Sequence, residues 1–424
     1  MELAIILTFI IGYLAIAFEH PIKIDKAASA ILTGTICWTI FIMNQPDKHE
    51  VTHQLMEHLG EISGILFFLL GAMTIVELID AHDGFQIITD RIKTENPVKL
   101  LWMIGILTFF LSAILDNLTT TIVVVSLLRK IIADREMRLF FLGVTVIAAN
   151  AGGAWSPMGD VTTTMLWIGG QITAISIVKE VFLASAFCMI VPLGYVSFRM
   201  KGAIKPPKGK RAESKSTDFE RKAVFGIGIT TLLFVPIFKT VTHLPPFMAI
   251  LFGLGVMWVL TEMIHSEKDT AEKGKLSVSH ALEKIDTPSI LFFLGILLSI
   301  AALQSTGQLK LLANGLTELI GNESAIVMTI GLLSAVVDNV PLVAAAQGMY
   351  TLAEFPPDSF FWSFLAYATG TGGSALIIGS AAGVAAMGME KIDFIWYLKR
   401  ITLLAVLGYF SGCVVFILQY NFSH

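Results

Sequence analysis

Charged side chains are scarce in this sequence. Asp, Glu, Lys and Arg supply 15% of its 424 residues, against about 25% in a soluble protein. That is too few to coat the roughly three soluble domains such a length would otherwise suggest. The formal charge is −4, without the basic face that a nucleic-acid partner requires. The composition of disorder, low hydrophobicity with high net charge, is also missing: 55% of the residues are hydrophobic and the mean hydropathy is +0.75. Cysteine is nearly absent. Cys37, Cys188 and Cys413 fall in separate apolar segments, with neither zinc-ligand spacing nor the even count of a disulfide framework. The apolar stretch from Leu3 to Phe18 follows Glu2 instead of a basic region and has no clean small-residue cleavage site. It is expected to be a retained first span, not a signal peptide.

What remains is apolar length. Crossing the hydrocarbon takes roughly 20 residues, and suitable stretches occur near 2–18, 27–43, 62–80, 138–170, 180–198, 223–240, 246–262, 288–304, 359–390 and 401–420. Two are too long for one helix and are interrupted by glycines, at Asn150–Pro157 and Gly370–Ser374. Glycine weakens a helix and proline removes a donor, so both read as broken helices. Two further stretches, 98–128 and 324–353, carry Asp-Asn at their centres, and each half looks too short to cross comfortably.

Lysine and arginine in short loops set orientation. Segment 199–222 is dense in them, with Arg199, Lys201, Lys205, Lys208, Lys210, Arg211, Lys215, Arg221 and Lys222, and reads as a cytoplasmic linker. Counting from it places 19–26, 81–97 and 129–137 inside, and 44–61 and both termini outside. The count works only if 98–128 is a re-entrant hairpin from the inside, with Asp116-Asn117 at its tip. By the same count 324–353 is a hairpin from the outside, with Asp338-Asn339 at its tip.

The chain also repeats itself. Ile65–Leu69 recurs as Ile290–Leu294, Ser112–Asn117 as Ser334–Asn339, and Gly152-Gly153 with Gly159 as Gly372-Gly373 with Gly379. Five crossings separate equivalent points, and an odd number inverts the topology. Inverted repeats with broken helices are how secondary transporters are built, with the site at the repeat interface.

The chemistry should lie at the tips and breaks. A carboxylate at membrane depth is costly and by default functional. Asp116 and Asp338 each stand where one arm ends, so unpaired carbonyls point at the same spot. Carboxylate plus carbonyl oxygens suits a hard cation. Asn117 and Asn339 add a cap and an amide oxygen. Irregular backbone at membrane depth lines a cavity or is buried in protein. The first break brings Asn150, Ser156, Asp160, Thr162 and Thr163, the second Thr369, Thr371, Ser374 and Ser380. Asp160 aligns with Ser380, so the two halves are chemically unequal. Ser112 and Ser334, four residues before the aspartates, could line the cavity or bond their own helix. Glu77 could snorkel to the inner surface or carry protons. His20, His82 and His280 fall on inner loops and His49, His53 and His58 on the outer one, as surface groups. Segments 82–96 and 305–321 have the mixed polarity of interfacial helices.

Ser112–Thr121, Ala149–Thr164 and Ser334–Pro341 together resemble the ion-transporter superfamily, and within it the chain is similar to NhaD-type sodium/proton antiporters over nearly its whole length. The resemblance implies an all-α, multi-pass membrane protein of the elevator type, working as a homodimer in the lipid bilayer, expected to be a bacterial inner membrane. It implies functional roles for Asp116, Asn117, Thr119, Asn150, Asp160, Thr162, Thr163, Ser334, Asp338 and Asn339, to which the second break adds Ser374. Sodium is expected at Asp116, Asn117, Asn150, Asp160, Asp338 and Asn339. No cofactor is expected, only sodium or lithium and protons as cargo. The implied organisation is N-terminal scaffold helices (1–61), a first repeat (62–198) with hairpin 98–128 and broken helix 138–170, the basic linker (199–222), further scaffold helices and an inner loop (223–287), and a second repeat (288–424) with hairpin 324–353 and broken helix 359–390.

Dicarboxylate carriers of the same superfamily are more remote and have Ser-Asn-Thr at the tips. An anionic substrate would be repelled by the buried aspartates, whereas a cation/proton exchanger needs a carboxylate that takes either ion. An arsenite-type efflux carrier fits less well. An intramembrane aspartyl protease would need Tyr-Asp and Gly-x-Gly-Asp, but Leu115 precedes Asp116 and Pro157 opens the second string. The sequence therefore argues for a sodium(lithium)/proton antiporter and not an enzyme.

Overall fold

The computed structural model describes residues 1–89, 92, 94–200, 216–266 and 274–423, without the side chains of 20 and 21. Arg91, Lys93 and the linker's Lys201, Lys205, Lys208, Lys210, Arg211 and Lys215 lie outside the described residues, as does the His20 side chain.

All described regular structure is helical. The principal helices are α1 (Glu2–Ala17), α2 (Lys26–Asn44), α3 (Lys48–Ala81), α4 (Pro97–Leu115), α5 (Asn117–Ile131), α6 (Arg135–Ala154), α7 (Val161–Ile168), α8 (Ala174–Arg199), α9 (Asp218–Thr242), α10 (Pro246–Ile264), α11 (Thr287–Ser305), α12 (Gln308–Ile320), α13 (Glu323–Leu333), α14 (Asn339–Met349), α15 (Phe360–Gly372), α16 (Ala381–Glu390) and α17 (Thr402–Ser423). Among the described residues nine helices are long and apolar enough to cross a membrane. Most start at a short polar side chain. Asp47, Asn96, Asp134, Thr173, Thr217 and Asn322 each accept a hydrogen bond from a first-turn N–H, which satisfies a donor the helix itself cannot.

Both broken helices are present. The first is α6, a break over 155–160, and α7; the second is α15, a short 3-10 turn Gly373–Ala375, and α16. Three expectations need correction. The outer loop 44–61 is mostly helix, because α3 runs unbroken for 34 residues, about 51 Å. The arm α4 has 19 residues, about 28 Å, so it is not too short to cross; α13 and α14, with 11 each, are. Segment 82–96 holds only a four-residue helix, Gln86–Thr89, among its described residues, whereas 305–321 does contain α12. That helix turns by 116° into α13 at Gly321, whose φ of 67° suits glycine.

The helices form two packed groups. In one, α2 lies along α11, with α1, α3, α9 and α10 around them; in the other, α4 packs on α6, α13 on α15, and α8 on α17. They meet where α14 touches α11 and α7 touches α3. The centre of the second group is α6, buried almost throughout.

Glycine permits the closest approaches in that group. A methyl group on Gly152 would collide with the Phe109 carbonyl, and one on Gly372 with the Gly331 carbonyl. These are equivalent positions in the two repeats, and backbone cannot step aside as a side chain can. Gly152→Ala and Gly372→Ala should each cost about 1–3 kcal/mol, read as a lower melting temperature in detergent. Gly388 has open space around it, so Gly388→Ala should hold or gain up to about 1 kcal/mol from helix propensity. Equal losses at all three would remove the close-packing explanation.

Candidate functional site

The first tip is a single residue. Asp116 ends α4 and caps α5 with φ 99° and ψ 161°, a region costing about 1–3 kcal/mol for a residue with a side chain. Thr119 holds it there: its N–H donates to Asp116 Oδ1 at 2.7 Å and its hydroxyl to Oδ2 at 2.8 Å. The second tip is a wider turn over 334–338, and Asp338 caps α14 with an unstrained φ of −47°, accepting from Val340 N–H at 3.1 Å.

The tips converge on the first break. Asp160 caps α7 through Oδ1, which accepts from the Thr162 N–H at 2.9 Å and the Thr162 hydroxyl at 2.7 Å. Asn117 Nδ2 donates to Asp160 Oδ2 at 2.5 Å. Asn339 Nδ2, from the other repeat, donates to both Asp160 oxygens at 3.3 Å. One carboxylate, 2% exposed, thus receives both tip asparagines. Asn117 also donates to Asn150 Oδ1 at 3.0 Å, and Asn150 Nδ2 donates to the hydroxyls of Ser374 and Ser380 at 2.9 Å each. A buried network of this kind is favourable only when its members are satisfied, and here both amide nitrogens of the first repeat are fully used.

Asp116 and Asp338 flank this centre, each close enough to Asp160 to interact electrostatically. The three aspartates do not close on one point. Among the described residues no three His, Cys, Asp or Glu side chains stand together as metal ligands.

Other expected site residues have different partners. Thr163 bonds the Asp160 carbonyl at 2.9 Å, not its carboxylate. Ser112 donates to the Ala149 carbonyl at 2.6 Å and Ser334 to the Thr369 carbonyl at 3.2 Å. Both tie a tip to its broken helix, and Ser334 also donates to the Gly331 carbonyl three residues back at 2.7 Å. Ser156 donates to the Ala113 carbonyl at 2.5 Å. Glu77 pairs with Lys284 at 3.6 Å. His82 is buried, not a surface group, with Nε2 2.8 Å from His265 Nε2. Sequence reasoning missed Tyr13 of α1, which lies against Asp338, and Tyr397, whose hydroxyl donates to the Ser374 carbonyl at 2.9 Å; neither stands in a motif.

The family model described as "Citrate transporter" matches residues 2–369. The chain is 49% identical to sodium/proton antiporter 1 of Arabidopsis thaliana, over 99% of this chain and 73% of that protein. It is 48% identical to sodium/proton antiporter 2 of the same plant, over 98% and 99%. With the Na(+)/H(+) antiporter NhaD of Vibrio cholerae it shares 29% identity, over 98% and 91%. These similarities are to transporters, not to enzymes.

Proposed function

We propose that this chain, which belongs to the NhaD-type sodium/proton antiporters, exchanges cytoplasmic sodium or lithium for external protons by alternating access. The observation that carries the reading is the Asp160 carboxylate, held by the asparagines of both tips and flanked by Asp116 and Asp338. Asn117 and Asn339 turn their N–H groups to Asp160, which leaves their amide oxygens for a cation. A carboxylate among such oxygens can take sodium or a proton but not both, so one displaces the other.

The inverted topology is supported by the contacts between distant segments. The residue count places Thr173 and Asp358, Lys239 and Trp167, and His58 and Ser305 together outside, and each pair touches. It places Glu390 with Arg129 and Arg138, His82 with His265, and Trp396 with Glu136 together inside, and these touch too. On this reading 97–131 and 323–349 are re-entrant hairpins, and the group around α6 slides elevator-fashion along the group around α11, in a homodimer. Sodium and protons are cargo, and no cofactor is needed. Relatives in a plant as well as a bacterium widen the expected setting from a bacterial inner membrane to membranes of both.

The family description raises a second reading, carriage of an anion such as citrate. The acidic centre argues against it, since a carboxylate ligand would meet like charge. Proteoliposomes with an internal pH dye decide between them. External sodium or lithium should alkalinise the lumen, while potassium or citrate should not. Citrate-dependent uptake without a sodium-driven pH change would reverse the assignment.

A further inference from the structure

Resting on the exchange reading, we propose that Thr120 gives its hydroxyl oxygen to the sodium ion at the first tip. Buried threonines in this protein almost all spend their hydroxyl inside their own helix. Thr121, Thr145, Thr163, Thr164, Thr369 and Thr371 each donate to the carbonyl three or four residues back, as membrane helices allow. Thr162 bonds Asp160 instead. Among the described residues Thr108 and Thr120 are the buried threonines whose hydroxyls have no hydrogen-bond partner. Both are 0% exposed. Thr108 precedes Asp116 by eight residues of α4, about 12 Å along the helix, which is out of reach. Thr120 is three residues after Asn117 on α5, so the two side chains share one face about 5–6 Å apart.

That face is the one the site uses. Asn117 presents it to Asn150 and Asp160, and Thr120 and Thr121 continue it as buried positions. Asn117 donates both its N–H bonds and keeps its oxygen, Asp116 caps the same helix end, and Thr120 adds a hydroxyl oxygen with free lone pairs. Carboxylate, amide and hydroxyl oxygens are the ligands a hard cation takes. An idle buried hydroxyl is unfavourable, so its presence one turn along the face of Asn117 calls for a partner that the helix does not supply. The second repeat has no equivalent. Leu342 stands opposite Thr120, Gly370 opposite Asn150 and Ser380 opposite Asp160, so the first repeat is the richer in such oxygens.

A hydroxyl ligand has a selective consequence. It binds sodium but takes up no proton at any cellular pH, so it tilts the competition towards sodium.

The test uses the full-length protein as Thr120→Val, Thr120→Ser and Thr121→Val, in proteoliposomes and in detergent. Thr120→Val should raise the half-saturating sodium concentration about tenfold, move the pH profile to higher pH and keep the maximal rate within about twofold, the loss expected for one ligand hydrogen-bonding group. Thr120→Ser should stay within about threefold of the parent and Thr121→Val within about twofold, since one keeps the oxygen and the other loses a hydroxyl its own helix satisfies. In sodium-free detergent Thr120→Val should melt higher than the parent, because an unpaired hydroxyl is gone, yet gain less from added sodium chloride. A parental half-saturation with a parental sodium-induced shift would overturn the proposal, and so would equal effects at 120 and 121. Absence of sodium-driven proton movement in the parent would sink the exchange reading instead; the melting comparison would still decide whether Thr120 meets the ion.

Discussion

Asp160→Asn should reduce sodium-driven proton movement to about 1% of the parent or less. All four partners of this carboxylate are donors: the Thr162 N–H and hydroxyl, Asn117 and Asn339. An amide in its place must turn its own NH2 towards donors on one side, losing charge-assisted hydrogen bonds worth about 1.5–3 kcal/mol each. About 3 kcal/mol is roughly a hundredfold. Ser380→Ala, at the matching position, removes one hydroxyl that accepts from Asn150 and from Gly383 N–H. The loss of a helix cap costs about 1 kcal/mol, so its effect should stay below about tenfold. Rates of purified, melting-checked variants in proteoliposomes make the comparison. Equal effects would reduce Asp160 to a helix-end charge.

Asp116→Asn and Asp338→Asn should each abolish exchange while leaving folded protein in the membrane. Asparagine preserves the shape, so the strained Asp116 backbone meets the same sterics after the change as before it. Its oxygen still accepts from the Thr119 N–H, and the Thr119 hydroxyl can rotate to accept instead of donate. At Asp338 only the bond from Val340 N–H is at stake. What both variants lose is the ability to exchange a proton for sodium. Glutamate at either place keeps that ability with a longer arm, and partial activity at weaker sodium affinity is expected. In the parent, half-saturating sodium should fall by up to about tenfold per pH unit as pH rises, the slope for competition with one proton. It should level off once the groups are deprotonated. Near-normal exchange in both Asn variants would remove the competing-carboxylate mechanism.

The architecture was legible wherever function forces local residue choice. Asp-Asn at both tips and paired glycines at both breaks are costly in lipid, and they marked the broken helices to within a few residues. The inequality of the repeats was visible as Asp160 against Ser380. What could not be read was tertiary. Asn339 reaches Asp160 across 179 residues and two repeats, and no spacing rule carries such a contact. The length of α3 escaped notice because its polar first turns resemble a loop until packing holds them. His82 looked like a loop residue because burial against His265 depends on a helix end far along the chain. Thr119, Thr120 and Thr121 read alike in sequence. Only rotamer and neighbours separate the one that fixes Asp116 from the one bonded to its own helix and the one left over.

The two-to-one convergence on Asp160 bears on how the halves of the molecule communicate. A cation that draws Asn117 away at the first tip leaves more of the carboxylate to Asn339, and the reverse holds at the second. Linkage requires that influence to be mutual and equal in binding free energy. If both tips take an ion, occupancy of one should therefore change affinity at the other by a common factor. Asp160 is in this sense a shared node, and the steepness of sodium saturation, read as a Hill coefficient in the intact protein against Asn339→Ala, measures how strongly it couples them.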